Sequence, residues 1–183
     1  FYFFNIAIFG MGTLMALDTV VSQALGAGDH AGARRGVQRG VLLALAVSLV
    51  TGLAFLGSGA AFRLLRQPDA VVPLARDFVQ LSIAGLPPFF VFVVLRQSLQ
   101  AMLTVRPLLL AMLIGNGVNL FANWALIFGH LGAQPMGVAG SAWSTVFARW
   151  VMLAVLLVAG WPTLRPHLRG SWRAAAAAGP LWR

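Results

Sequence analysis

Five long apolar runs, joined by short polar connections, make up most of this 183-residue chain. A bilayer hydrocarbon core about 30 Å thick requires roughly 20 apolar residues from a helix that crosses it. Each run reaches that length. The runs predict transmembrane helices over residues 1–27, 40–62, 78–103, 107–129 and 136–161. Little chain remains between them, so we expect an all-α membrane bundle without a soluble domain.

The composition excludes several other classes of protein. Hydrophobic residues make up 60% of the chain and charged residues 9%, whereas a soluble domain carries about 25% charged residues. There is no cysteine, and the histidines His30, His130 and His167 do not have the spacing of metal ligands. An intramembrane enzyme would need a nucleophile or a metal cluster inside the spans. We therefore expect neither an enzyme nor a protein with a bound cofactor.

The basic residues indicate orientation in a membrane rather than binding to nucleic acid. All 13 are arginines, and the formal net charge is +9. Most flank the apolar runs, and cytoplasmic loops of membrane proteins carry an excess of arginine and lysine. One side would hold eight: Arg34, Arg35, Arg39, Arg106, Arg165, Arg169, Arg173 and Arg183. The other side would hold Arg63, Arg66 and Arg76. We expect the first side to be cytoplasmic, with membrane lipid and not nucleic acid as a partner.

The two ends of the chain suggest a piece of a longer protein. Phe1 is not an initiator methionine, and the first run lacks the charged start and the shorter apolar core of a signal peptide. We expect at least one further helix before Phe1. Residues 163–183 are expected to form a cytoplasmic or interfacial segment that leads to a second lobe.

The fourth run carries three amides on one helical face. Asn116, Asn119 and Asn123 follow the spacing i, i+3, i+7, which aligns side chains along a helix. Such a stripe can coordinate a sodium ion, share a proton path with a carboxylate, or hydrogen-bond to a neighbouring helix as packing glue. The spacing alone leaves these alternatives open.

Two other runs contain polar groups that are costly inside a bilayer. In the fifth run, Ser141, Thr145 and Arg149 share one face, and we expect Arg149 to point into the bundle, toward Asp18 or toward a preceding helix. In the first run, Asp18 is the one carboxylate inside any span, with Gln23 beside its face. Asp18 is either functional or a structural partner of an arginine near the cytoplasmic end.

The third run contains both a helix breaker and a charge. Pro87–Pro88 must bend or interrupt the helix. Arg96 lies near the cytoplasmic end of the run, close enough for its guanidinium to snorkel toward the interface.

Several of these motifs, in chain order, resemble the multidrug and toxic compound extrusion (MATE) transporters. The stretch 12–29, GTLMALDTVVSQALGAGD, is similar to the second transmembrane helix of that family. Matches to its fourth, fifth and sixth helices are Pro87 with Gln97 and Gln100; Pro107 with Asn119, Asn123, Trp124 and Ile127; and residues 137–142 (GVAGSA) with Thr145. The chain departs from the family pattern at Trp143 and Arg149.

The resemblance implies a twelve-helix antiporter built from two six-helix lobes, of which residues 1–162 would supply helices two to six of the amino-terminal lobe. Such proteins export organic cations and drugs in exchange for sodium ions or protons. The family's ion site combines an acid on the first helix with polar residues that fall here at Asn119, Asn123 and Thr145. Asp18, Gln23, Asn116 and Arg149 would be further polar residues of the cavity or spans.

The resemblance also implies a cellular location and leaves one alternative function. We expect an integral protein of a bacterial inner membrane that acts on a small cationic solute. The alternative is a lipid-linked oligosaccharide flippase of the same broader superfamily. Flippases of that kind place several basic residues in the central cavity, whereas only Arg96 and Arg149 lie within the spans of this chain.

Overall fold

The computed structural model describes residues 12, 14, 19–64, 67–68, 71–132 and 134–169. Within these ranges the chain consists of helices joined by short turns. The α-helices are α1 (19–26), α2 (His30–Leu56), α3 (Ser58–Leu64), α4 (Val72–Ser82), α5 (Leu86–Ala101), α6 (Arg106–Phe128) and α7 (Gly137–Leu168). Two short 3-10 helices, Ile83–Gly85 and His130–Gly132, lie before α5 and after α6.

Four helical stretches of the described chain are long and apolar enough to cross a bilayer. They are α2, the continuous stretch Val72–Ala101 that joins α4 to α5, α6 and α7. The expectation of an all-α membrane bundle is confirmed, and the predicted count of five helices is approximately right. The first predicted span, 1–27, lies largely outside the described residues, with its end present as α1.

The second span begins earlier than its apolar run. Gly28 adopts a positive φ of 72°, which glycine tolerates without a steric penalty. Asp29 then caps α2 by accepting a hydrogen bond from the Gly32 N–H at 2.8 Å. Consequently Arg34 and Arg35 lie in the first turns of α2 and not in a loop. A helix can begin outside the hydrocarbon core when a cap accepts hydrogen bonds from its first backbone N–H groups.

The interruption predicted at Pro87–Pro88 is present, whereas the last helix continues past its prolines. Pro87 and Pro88 occupy the first turn of α5, directly after the 3-10 turn Ile83–Gly85, where a missing N–H costs no helical hydrogen bond. The last span was predicted to end at residue 161, but the helix continues further, with Pro162 and Pro166 inside α7. Residues 163–168 are therefore the last turns of this membrane helix, whereas 170–183 fall outside the described part of the chain.

Helix α5 is the centre of the bundle and packs into two apolar clusters. In one, its residues Leu86, Phe90 and Val94 contact α2 and α4. In the other, Leu95 and Leu99 join buried residues of α2, α6 and α7. By contrast, α6 buries only Pro107, Leu108, Ala111 and Gly115, so it forms an outer wall of the described structure.

The helix ends that carry most of the arginines lie together. Val37, Leu99, Leu108 and Leu164 share one cluster, which brings the start of α2, the α5–α6 connection and the end of α7 to one end of the bundle. The described arginines of this end are Arg34, Arg35, Arg39, Arg106, Arg165 and Arg169. We call it the basic end.

Helices α6 and α7 cross closely at two glycines. A Cβ on Gly140 would lie 2.7 Å from the Leu126 carbonyl oxygen, and a Cβ on Gly115 would overlap Met152. The Met136 N–H also donates to the Leu126 carbonyl at 2.9 Å. Small residues permit this approach because association in lipid depends on close packing.

Replacing Gly140 with alanine should loosen this crossing. The added methyl group meets backbone, which cannot rotate away, and overpacking of this kind costs about 1–3 kcal/mol. We expect Gly140→Ala to lower the thermal unfolding midpoint of the full-length protein in detergent. Gly117→Ala on α6 is the matched control, because nothing lies within 4 Å of its Cβ position. Equal midpoints for the two variants would show that the crossing does not depend on Gly140.

Candidate functional site

A cavity of about 320 Å³ lies between α5, α6 and α7. Its polar lining consists of two amides, one hydroxyl and two guanidinium groups: Asn116, Asn119, Thr145, Arg96 and Arg149. The remaining walls are apolar or small: Phe89, Phe92, Val93, Gly115, Ala148 and Met152. Polar groups therefore converge on one space at the middle of membrane-crossing helices.

Helical spacing brings these side chains to the cavity from two elements. Gly115, Asn116 and Asn119 lie on one face of α6, and Thr145 and Arg149 are one turn apart on α7. The close approach at Gly115 and Gly140 holds the two faces opposite each other. The stripe of amides in α6 is consequently turned toward α7 at the level of Thr145.

The two asparagines proposed as ion ligands are joined to each other. The Asn123 Nδ2 donates to Asn119 Oδ1 at 3.0 Å. Asn123 lies one turn beyond the cavity lining, and its own Oδ1 is buried without a hydrogen-bond partner among the described residues. A buried carbonyl oxygen without a partner is costly, so this atom is available as an acceptor or as a ligand to a cation.

Thr145 is satisfied within its own helix and retains capacity for a ligand. Its Oγ1 donates to the Ser141 carbonyl at 3.0 Å. A hydroxyl has one donor and two acceptor lone pairs. Because the donor is used within α7, the oxygen can offer only acceptor capacity to the cavity.

Arg149 lies inside the bundle, against α5 and the turn before it. Its Nη1 donates to the Gly85 carbonyl at 3.5 Å, and its Cζ lies 4.7 Å from the centre of the Phe89 ring. A guanidinium over an aromatic face gains cation–π attraction. Asp18, the suggested acidic partner, is outside the described residues, and the proposed pairing stays a prediction.

Arg96 and Gln23 differ in their position relative to the cavity. Arg96 lines the cavity, and its Nε is buried without a partner among the described residues, although its place in the sequence was also close enough to the cytoplasmic end for it to snorkel. Spacing within α5 contained the signal, since Arg96 follows Phe89 and Phe92 at helical intervals. Gln23 is exposed on α1 and does not line the cavity.

Thiol labelling should distinguish the cavity face of α6 from its outer face. The chain contains no cysteine. Single cysteine substitutions can therefore be compared in the full-length protein, after subtraction of the labelling that the unsubstituted full-length protein shows. Asn116→Cys is preferable to Asn119→Cys because it leaves the Asn119–Asn123 bond intact. We expect Asn116→Cys and Thr145→Cys to react at least roughly tenfold faster with a water-soluble maleimide than Ile114→Cys, because a thiol forms its thiolate poorly in apolar surroundings.

Ile114 is a suitable control because it lies near Asn116 in depth and is exposed on the other side of α6. Equal labelling rates at the three positions would contradict a water-accessible cavity between α6 and α7.

Comparison with known proteins agrees with this architecture. The profile of the MatE family matches residues 1–125. The chain is 30% identical over 150 residues to the multidrug resistance protein NorM of Vibrio cholerae, which covers 82% of this chain and 33% of NorM. It is 34% identical over 149 residues to multidrug and toxin extrusion protein 2 of Oryctolagus cuniculus, covering 81% of this chain and 24% of that protein.

A solved structure has the same fold. It is the inward-facing conformation of a multidrug resistance MATE family transporter of the MOP superfamily, which superposes with a TM-score of 0.74 at 23% identity. The match covers 95% of this chain and 41% of that one. The chain thus spans between a quarter and two fifths of the length of these proteins. On the profile match and the membrane-length helices, the chain is an integral membrane protein that belongs to the MatE family of transporters and not to a family of enzymes.

Proposed function

We propose that this chain is part of a secondary active efflux transporter that exchanges a coupling cation for an organic solute. The observation that carries the proposal is the cavity in which Asn116, Asn119, Thr145 and Arg149 converge within membrane-crossing helices. Intramembrane polar residues are costly and commonly mark an ion or substrate pathway. Two relatives are named for multidrug resistance and for multidrug and toxin extrusion.

In this proposal, Asn119, Asn123 and Thr145 form part of the coupling-ion site. Their oxygens are hard ligands of the kind that suits sodium, and Asn123 Oδ1 is buried without a partner among the described residues. No carboxylate lines the cavity in the described part of the chain. The compensating negative charge would come from Asp18 or from an acid in the remainder of the full-length protein. The coupling ion is sodium or a proton, and no cofactor is needed.

The solute would be a small organic cation or drug. Phe89 and Phe92 supply aromatic walls, and the volume of about 320 Å³ is near the lower limit for drug-sized ligands. We therefore propose that the solute itself binds between two lobes of the full-length protein, and that this cavity serves the ion.

One observation favours the alternative of a lipid-linked oligosaccharide flippase. Arg96 and Arg149 both line the cavity, and two guanidinium groups facing one space can hold a pyrophosphate through bidentate hydrogen bonds. The two functions make opposite demands on these arginines. Their replacement would abolish flipping of a pyrophosphate-linked lipid but would not remove a binding site for organic cations.

The proposed location is a bacterial inner membrane, with the basic end toward the cytoplasm. The described arginines gathered at that end follow the usual asymmetry of membrane proteins. The partners in this proposal are a small cationic solute, membrane lipid and the remainder of the transporter chain, without nucleic acid.

Transport by the full-length protein in proteoliposomes tests the proposed ion site. We expect Asn119→Leu and Asn123→Leu to reduce gradient-driven efflux of a fluorescent organic cation on the order of tenfold, because removal of a ligand or its support weakens ion binding by about that factor. Sodium and pH gradients should be imposed separately to identify the coupling ion.

Gln100→Leu is the matched control, because Gln100 is an exposed amide at the end of α5 and does not line the cavity. Each variant should first show the unfolding midpoint of the wild type. Undiminished efflux in both asparagine variants would reject the ion site. The flippase would be favoured by two results together. Efflux would survive in both asparagine variants, and Arg149→Gln would abolish flipping of a pyrophosphate-linked lipid.

A further inference from the structure

A second pocket lies at the basic end, between the start of α2 and the end of α7. It has a volume of about 410 Å³ and is lined by His30, Ala31, Arg34, Pro166 and His167. The pocket is remote from the candidate ion site and shares no residue with it. Nothing in the proposed transport cycle requires two histidines and an arginine here.

The length of α7 places this pocket at the level of the lipid headgroups. The helix has 32 residues and is therefore about 48 Å long at 1.5 Å per residue, whereas the hydrocarbon core is about 30 Å thick. Its last turns, with Pro166 and His167, extend beyond the core. Trp161 lies one to two turns earlier, and its ring contacts the Arg169 guanidinium at 5.8 Å, an arrangement typical of a membrane interface.

The electrostatics of the pocket favour an anion. The acidic residue at this end, among those described, is Asp29. It accepts the Gly32 N–H as the cap of α2 and forms an ion pair with Arg35 at 3.7 Å. Its charge is thus directed to the helix terminus and to Arg35, whereas Arg34 faces the pocket. Arg165 and Arg169 on α7 add positive charge at the same end.

The walls of the pocket suit a lipid better than a free ion. Ala31 and Pro166 contribute apolar surface beside the cationic groups. The His167 Nδ1 donates to the Thr163 carbonyl at 3.2 Å, which fixes that ring as a wall. A charged group next to apolar walls at headgroup depth matches a phosphate with its glycerol and acyl chains, and basic pockets between helices bind such headgroups.

We propose that this pocket binds the phosphate of an anionic phospholipid of the cytoplasmic leaflet. The Arg34 guanidinium is the principal ligand, His30 is a second donor, and the lipid joins α2 to α7. The leaflet rests on the proposed orientation, but the site does not depend on the proposed efflux activity.

Native mass spectrometry of the full-length protein in detergent tests this site. The probes are a phosphatidylglycerol and a phosphatidylcholine with the same acyl chains. We expect Arg34→Gln to weaken phosphatidylglycerol binding about fivefold, as one basic residue near an anionic lipid contributes. Arg106→Gln is the matched control, because it removes the same charge at the same end outside the pocket. It should change binding less than twofold, and phosphatidylcholine should bind equally to all three proteins.

Two results would overturn the proposal. Equal losses in Arg34→Gln and Arg106→Gln would show a diffuse charge effect without a pocket. Displacement of phosphatidylglycerol by excess inorganic phosphate, but not by chloride of the same ionic strength, would assign the pocket to a free anion. If Arg34→Gln lowers the unfolding midpoint, His30→Gln replaces it; His30 is exposed, and its substitution should weaken binding at least twofold.

Discussion

The close crossing of α6 and α7 is the constraint on which the site depends. In hydrocarbon there is no hydrophobic drive between helices, so contact requires surfaces that approach closely. Gly140 against the Leu126 carbonyl and Gly115 against Met152 provide that approach at two levels. Between these levels Asn119 and Thr145 face one cavity. The two glycines thus determine how α6 and α7 cross, and the crossing determines where Asn119 and Thr145 meet.

The polar side chains of the bundle divide by whether their own helix satisfies them. Ser48, Ser98 and Ser144 each donate to the carbonyl four residues earlier, at 2.7, 2.9 and 2.7 Å. Such a bond satisfies the hydroxyl donor within its own helix. An amide has more donors and acceptors than its own helix can use. Asn119 and Asn123 satisfy each other only in part, and this unused capacity, more than their presence in a span, supports an ion site over packing glue.

The helices and the polar face of α6 could be predicted from sequence, because length, hydropathy and spacing are local properties. The helix ends could not. α2 begins at His30 because Asp29 caps it. α7 continues through Pro162 although a proline inside a helix removes one backbone hydrogen bond. The place of Arg96 could not be predicted either, since both snorkelling and facing inward are open to a long side chain. Only the packing of α5 against α6 and α7 decides between them.

Equilibrium ion binding to the full-length protein tests most directly whether the α6 amides and Thr145 form part of a cation site. Sodium titration by calorimetry and proton uptake or release by a pH indicator should be measured in wild type and in Asn123→Leu, the variant that removes the unpartnered Oδ1. We expect the wild type to bind one of the two cations and the substitution to weaken that binding on the order of tenfold. Unchanged affinity for both cations in a correctly folded variant would contradict such a site.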